Sequence, residues 1–396
     1  MGGPLGHSRI VGVRQGYFDH NATTPLDPRV RAAMEPWLGS RWGNPASAHR
    51  WGQEALAAVE AAREEVAALL GVSQPRELIF CASGTEALNT VIFSELSRAP
   101  AGSEVVLSGL EHPAVRQPFR SPWLAAFRAV EVPAPGGVVE PEAMLQAISP
   151  RTVLVALQLA NHELGTIQPV AAVAAGCRSR GVPLLVDAAQ AVGKIPVDVS
   201  GLGADYLVVA AHKFHGPLGA AALWVHPARK LEPLLWGGGQ ERGLRASTLN
   251  VPALVGFGEA ARLARLELDG RSRKLWELRD RFEEELLRRV PFAWVHARQA
   301  PRLPHVSSVA FPGIDRREVA IRLDLEGFAV STGPACASGR VEPSPGLLAA
   351  GIPAPLAAST VRFSFGWTNE WPEIEELLTR LPRVLESLQA PMGVGR

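Results

Sequence analysis

Between residues 77 and 225 short apolar runs alternate with helix-periodic stretches, and this alternation constrains the fold more than any other feature of the chain. The runs at 77–82, 104–108, 152–159, 183–187, 205–210 and 220–225 are too short for buried helices, and amphipathic segments such as 170–180 separate several of them. Few tight-hairpin signals lie between them. Strands that alternate with helices predict an α/β domain built on a mostly parallel sheet. Such sheets bind ligands in the crevice beyond the carboxyl ends of their strands, so residues that end each run are the first candidates for chemistry.

After Gly237-Gly238-Gly239 the texture changes. Residues 251–290 are charged and helix-periodic, and are expected to join the main domain to a smaller one. Strand-like segments at 307–311, 328–331 and 361–365, with a final helix near 372–388, predict a small α+β domain. The expected organisation is a loose extension over 1–16, a large α/β domain over 17–255 and a small α+β domain over 256–396. At 396 residues and 47% hydrophobic content the chain can bury two substantial cores.

A formal net charge of +1 gives no electrostatic reason to expect nucleic acid or an acidic membrane as partner. No run approaches the roughly 18 apolar residues of a membrane span, and the opening residues are read as carrying no secretory signal. Cys81, Cys177 and Cys336 form neither a CxxC nor an even framework. Disulfides and a metal site are therefore not expected, and a reducing cytoplasm is.

Lys213 is one of only four lysines, and it follows the strand-like run at 205–210. A lysine desolvated at the end of a buried strand loses part of its preference for the charged form and becomes a better nucleophile. That is what forming a Schiff base with a carbonyl cofactor such as pyridoxal phosphate requires; the alternative is a lysine ending a strand at the surface. Lys194, in Gly193-Lys194-Ile195-Pro196, is read as a polar turn, and Lys230 and Lys274 as solvated. Asp187 closes the run at 183–187. It is either a carboxylate that keeps a pyridine nitrogen protonated or a helix N-cap. Ser83-Gly84-Thr85 opens a helix after a strand, where free N–H groups and the helix dipole favour an anion. His112 follows another strand and could stack on a flat cofactor and exchange protons, or lie on the surface.

These segments occur in order with Asp19-His20-Asn21-Ala22-Thr23-Thr24-Pro25, Gly43-Asn44-Pro45, Glu111-His112-Pro113, Asp187-Ala188-Ala189-Gln190, His212-Lys213, Gly237-Gly238-Gly239-Gln240-Glu241-Arg242-Gly243 and Ser331-Thr332-Gly333-Pro334-Ala335-Cys336. From about residue 17 onward the chain resembles the cysteine desulfurases of the class V aminotransferase family, of the nitrogenase-associated and iron–sulfur-cluster type, with selenocysteine lyases as cousins. The resemblance implies a fold-type I pyridoxal-phosphate enzyme acting as a homodimer. It implies Lys213 as the lysine that carries the cofactor, Asp187 as partner of the pyridine nitrogen and His112 as the stacking ring and proton broker. Gln190 would lie near the phenolic oxygen. Gly84, Thr85 and His212 would bind the phosphate, and Thr248 would reach the neighbouring subunit's phosphate. Arg362 would hold the carboxylate of L-cysteine or L-selenocysteine, a task that guanidinium geometry favours, with Asn21 also on the substrate side. Cys336 would take up sulfur as a persulfide for an acceptor protein.

Three positions depart from the family pattern. His162 stands where relatives carry an asparagine that touches the phenolic oxygen, and its titration is expected to add pH dependence. Ala210 replaces a frequent serine, which removes a phosphate hydrogen bond worth about 0.5–1.5 kcal/mol. Trp367, close in sequence to Arg362, is expected to bear on substrate preference. The rival readings are a selenocysteine lyase or other β-lyase, a plain aminotransferase, and an inactive scaffold for sulfur carriers.

Overall fold

The computed structural model describes residues 15–333 and 343–389. The chain enters through a two-residue strand, β1 (Gly16–Tyr17), and helices Pro28–Leu38 and Arg50–Leu70. The main sheet follows, formed by β2 (Leu78–Cys81), β3 (Glu104–Ser108), β4 (Arg128–Val132), β5 (Thr152–Gln158), β6 (Leu184–Asp187), β7 (Tyr206–Ala210) and β8 (Ala221–Val225). Their order is β2-β8-β7-β6-β5-β3-β4, and β8 alone runs antiparallel to its neighbours. The connection from β7 to β8 covers residues 211–220, which is shorter than a parallel crossover needs, so the chain must turn back on itself.

Alternate residues of the central strands enter two different cores. Phe80, Val106, Val155, Val186, Leu207 and Val209 pack on one face with helices Arg50–Leu70 and Val170–Ser179. Ile79, Val105, Leu107, Leu154, Leu185 and Val208 pack on the other with helix Gly84–Ser97. A sheet covered on both faces explains why its strands read as unbroken apolar runs. The edge strand β4 went unread because Arg128 and Glu131 are exposed and interrupt that signal.

The expected joining region is one 39-residue helix, Val251–Arg289. Its residues up to Ala264 belong to the large core, whereas Leu275, Leu278, Phe282 and Leu286 belong to a second core. The change of core therefore falls between Ala264 and Leu275, beyond the expected changeover at 255/256. That second core lies under a three-stranded antiparallel sheet of β9 (Trp294–Val295), β10 (Val306–Ala310) and β12 (Thr360–Ser364), ordered β12-β10-β9. Helices Arg316–Leu325 and Trp371–Gln389 contribute Val319, Leu323, Ile374, Leu377 and Leu381 to it. Strand β11 (Phe328–Ala329) pairs in parallel with β1, and Phe18 packs in the same core, so the entering segment is held by the C-terminal unit. Among the described residues no helix is long and apolar enough to cross a membrane. Of the expected N-terminal extension, residues 1–14 lie outside the described residues.

Candidate active site

Five parallel strands deliver their carboxyl ends to one place. Beyond β2 come Ser83, Gly84 and Thr85; beyond β3 comes His112; β5 ends in Gln158 with His162 following; β6 ends in Asp187, followed by Gln190; β7 ends in Ala210, followed by His212 and Lys213. All of these line a single cavity of about 230 Å³. Eight positions singled out in the sequence, Gly84, Thr85, His112, His162, Asp187, Gln190, His212 and Lys213, thus meet although they span some 130 residues of chain.

Lys213 sits in a one-turn 3-10 segment immediately after β7. Its Nζ donates to the carbonyls of Asn21 at 2.6 Å and Ala22 at 3.0 Å. Burial, reinforced by the nearby Arg362 charge, lowers its pKa to about 8. The turn is pinned next door by His215, a non-glycine residue at φ 68° whose N–H donates to Thr24 Oγ1 and whose Nδ1 lies 2.9 Å from the Pro25 carbonyl.

Asp187 Oδ1 accepts from the Ala189 N–H at 3.0 Å, a local turn that orients the carboxyl group. Burial raises its pKa, with the charges of His112 and Lys213 acting in the opposite sense. His112 caps a short helix by accepting from Ala114 N at 3.1 Å through Nδ1, which leaves Nε2 as the N–H of its neutral form. Its ring meets that of His162 edge to face, with centroids 5.4 Å apart.

His162 corrects one expectation. Both its ring nitrogens are buried without a hydrogen-bond partner among the described residues, Nε2 lying 3.9 Å from Glu163 Oε1. Burial first, then the charges of His112, Arg362 and Lys213, push its pKa well below the ordinary value. It is a neutral imidazole with one N–H to donate, so it brings no titration of its own to the neutral pH range. Gln190 Nε2 donates to the Asn21 carbonyl at 3.0 Å, and its Oε1 is buried and unpartnered. His212 lies 3.2 Å from Thr23 Oγ1, and burial lowers its pKa to about 4.

At the cavity's far wall Ser83 caps helix Gly84–Ser97 by accepting from Glu86 N, so the helix presents its first N–H groups beside Thr85. Ala210 Cβ faces this end, 3.7 Å from where a side chain on Gly84 would begin, and offers no hydroxyl. A helix N-terminus, a buried carboxyl group, a lysine of depressed basicity, and unpartnered polar atoms on His162 and Gln190 together suit an anionic, aromatic aldehyde with a ring nitrogen and a phenolic oxygen.

Arg362, on β12, is not part of the cavity wall but is joined to it. Nη1 donates to the His162 carbonyl at 2.7 Å, Nη2 pairs with Asp19 Oδ1 at 2.6 Å, and Nε has no partner among the described residues. Asn21 ties the same region together: Nδ2 donates to the His162 carbonyl, and Oδ1 lies 2.7 Å from His305 Nε2. Thr248 is exposed, just before the Asn250 cap of the long helix and away from the cavity. Trp367 lies with His215 and Arg271 on the other side of Lys213, and not in the main cavity. Cys336 lies outside the described residues.

Two participants escaped sequence reading. Asp19, the ion-pair partner of Arg362, was visible only as the first residue of its motif. Lys194, expected in a polar turn, is 5% exposed. No local signal marked it, because the residues that bury it come from distant segments of the chain.

The aminotransferase class-V family profile matches residues 16–377. A cysteine desulfurase of Gluconacetobacter diazotrophicus is 39% identical over 377 residues, covering 94% of each chain. One of Cereibacter sphaeroides is 41% identical, covering 96% of this chain and 98% of its own. Among solved structures, a NifS-like protein superposes with a TM-score of 0.88 at 33% identity, covering 95% of this chain and all of that one.

Proposed function

This chain belongs to the aminotransferase class-V family, and from that premise we propose that it is a pyridoxal-phosphate-dependent cysteine desulfurase. The convergence of Lys213, Asp187, His112 and the helix N-terminus at Gly84-Thr85 on one cavity is the observation that carries the reading. The likeness to curated cysteine desulfurases over nearly the whole chain supports the substrate.

In this reading Lys213 carries the cofactor, Thr85, Gly84 and His212 hold its phosphate, His162 and Gln190 face its phenolic oxygen, and Asp187 faces its ring nitrogen. When bound, pyridoxal phosphate supplies an electron sink for the charge left as the α-proton departs. Asp187 would sustain that sink by holding a proton at the ring nitrogen. Arg362 holds the substrate carboxylate, with Asp19 and the His162 carbonyl fixing the plane of its guanidinium. With its amine free, Lys213 would take the α-proton, for which its depressed basicity suits it at neutral pH. His112, whose Nε2 is the free nitrogen, moves the proton at sulfur.

The cysteine Cβ–S bond would then break as the Cys336 thiolate takes the sulfur, and a proton delivered to Cβ, with return of the α-proton from Lys213 to Cα, would complete alanine. L-Cysteine and the enzyme thiol thus become L-alanine and an enzyme persulfide, a balance that needs no outside oxidant or reductant. A sulfur-acceptor protein, a homodimer in which Thr248 serves the partner's phosphate, and a cytoplasmic setting belong to the same proposal.

The test is release of alanine and sulfide from L-cysteine by cofactor-loaded protein under reductant. Equal yields, abolished in Cys336→Ala with cofactor retained, support it. Sulfide release that survives in Cys336→Ala, or keto-acid-dependent turnover without sulfide, would overturn it.

A further inference from the structure

Glu163 follows His162 in the turn after β5 and is 5% exposed, yet only His162 of the two lines the cavity. The turn is held by Asn161, whose Oδ1 accepts from Glu163 N at 2.9 Å and Leu164 N at 2.7 Å. Glu163 Oε1 accepts from Ser344 Oγ at 2.6 Å. A side chain on Gly346 would begin 2.6 Å from the same oxygen, and one on Gly333 would begin 3.1 Å from Oε2. Gly333 has a φ of 84°, where glycine is at ease and other residues are strained. The carboxylate is therefore in close contact with two stretches of chain, at Gly333 and at 344–346. Cys336 is among the ten residues that separate Gly333 from Ser344 in the sequence.

Each stretch is secured in its own way. Ser331 N donates to the Arg362 carbonyl at 3.1 Å, and Arg362 N to that of Ser331 at 2.8 Å. Ser331 Oγ accepts from Gly333 N at 3.2 Å, so Gly333 is tied to the strand that carries Arg362. Ser344 Oγ accepts from Gly346 N and Leu347 N, and caps the helix Pro345–Ala349. Arg362 also donates to the His162 carbonyl. The turn at 162–163 thus touches the arginine and both stretches at once. Stability alone is a poor reason for a carboxylate here. Its burial costs free energy that one serine hydroxyl offsets poorly, and the imidazole of His162, 3.9 Å away, is neutral.

We propose that Glu163 is a positioning residue for Cys336, its carboxylate holding residues 331–333 and 344–346 at a fixed spacing beside the site. Fixing both ends of a segment narrows the space that its middle can reach. A nucleophile so restricted meets its target far more often than one on a free chain, and a misplacement of about 1 Å can cost on the order of 100-fold in rate. The inference rests on Cys336 being the sulfur acceptor. Sulfide release that survives in Cys336→Ala would defeat that reading, whatever Glu163 does.

The experiment separates substrate binding from sulfur transfer in cofactor-loaded wild type, Glu163→Ala, Glu163→Gln and Gly346→Ala, with folding checked by circular dichroism. Binding is read as the L-cysteine concentration that gives half the change in the cofactor's visible spectrum, with each variant also carrying Cys336→Ala so that no sulfur moves. Transfer is read as kcat for sulfide release with Cys336 present. In Glu163→Ala kcat is expected to fall roughly 10- to 100-fold while half-saturation stays at the wild-type concentration. Glutamine keeps an acceptor oxygen at the same reach and is expected to retain most of kcat. Gly346→Ala leaves Glu163 in place and favours the helix, but its methyl group displaces Oε1, the end of a flexible side chain. It should show the same split, and it decides the matter if Glu163→Ala does not fold. A folded Glu163→Ala enzyme with wild-type kcat, or one in which binding and kcat fail in step, would overturn the proposal. So would a glutamine variant as slow as alanine's, since the holding oxygen is still there.

Discussion

Arg362 offers a quantitative test of how the substrate is held. Its guanidinium, 6% exposed, spends one N–H on the His162 carbonyl and another on Asp19, and keeps Nε unpartnered. The remaining N–H groups can grip a carboxylate in a fixed plane. A hydrogen bond to a charged group contributes about 1.5–3 kcal/mol, which is roughly a 10- to 150-fold effect on kcat/KM. Replacing Arg362 with Met should remove that grip while leaving the partly hydrated Asp19 tolerable, its side chain being 21% exposed. The comparison to make is L-cysteine against cysteamine, which has the same thiol and amine and no carboxylate. Sulfide release from each gives a preference, and the variant-to-wild-type ratio of preferences cancels the difference in intrinsic reactivity. The preference for cysteine should fall by roughly one to two orders of magnitude, mainly through KM for cysteine, because the carboxylate is held alike before and during reaction. An undiminished preference in a folded Arg362→Met enzyme would refute the assignment and leave the arginine a clamp for Asp19 and the His162 backbone.

Further outcomes follow from the buried titratable groups. His162→Asn should leave the pH midpoint of the cofactor band unchanged, since His162 is already neutral; a shift in that midpoint would mean the imidazole carries charge near neutrality. Burial pushes Glu111 up to about 8, so the folded protein holds a proton there that the unfolded chain gives up above about pH 4.5. Wild-type stability is therefore lost through this group as pH rises from about 5 to 8, and Glu111→Gln should gain on wild type across that window in urea denaturation; a constant gap would contradict it. In cofactor-free protein His20, His212, His215 and His296 have pKa values lowered to about 3 or 4, and burial also holds His162 and His305 well below the ordinary histidine value. Between pH 6.5 and about 4.5 the unfolded chain binds protons that the folded one refuses, so stability should rise with pH in that window, Glu111, Asp187 and Glu163 offsetting part of the gain. A flat stability profile from pH 5 to 6.5 would count against buried neutral histidines.

How much of this site could be read from the sequence depended on which backbone feature placed each residue. Asp187 and Lys213 were legible because a strand buried on both faces must surface at its carboxyl end, and the polar residue found there marks the rim. The order of the strands was not legible, since nothing in the runs themselves tells β8 from its parallel neighbours; only the ten residues between β7 and β8 force the reversal. Strand β4 was hidden by its place at the edge, where one face is wet and the alternation carries charges. The N-terminal strand was hidden for a different reason, because its partner β11 lies some 310 residues away and two residues carry no period at all. Lys194 shows the limit most clearly. A lysine between glycine and Ile-Pro has the local signature of a turn on the surface, and local signature reports only the residue's own segment. What buries it comes from the segment after β1, the long helix, the residue before β10 and the turn after β7, four places far apart in the chain. Lys213 could be read from its own strand, whereas the burial of Lys194 had to wait until the fold had brought those four segments together.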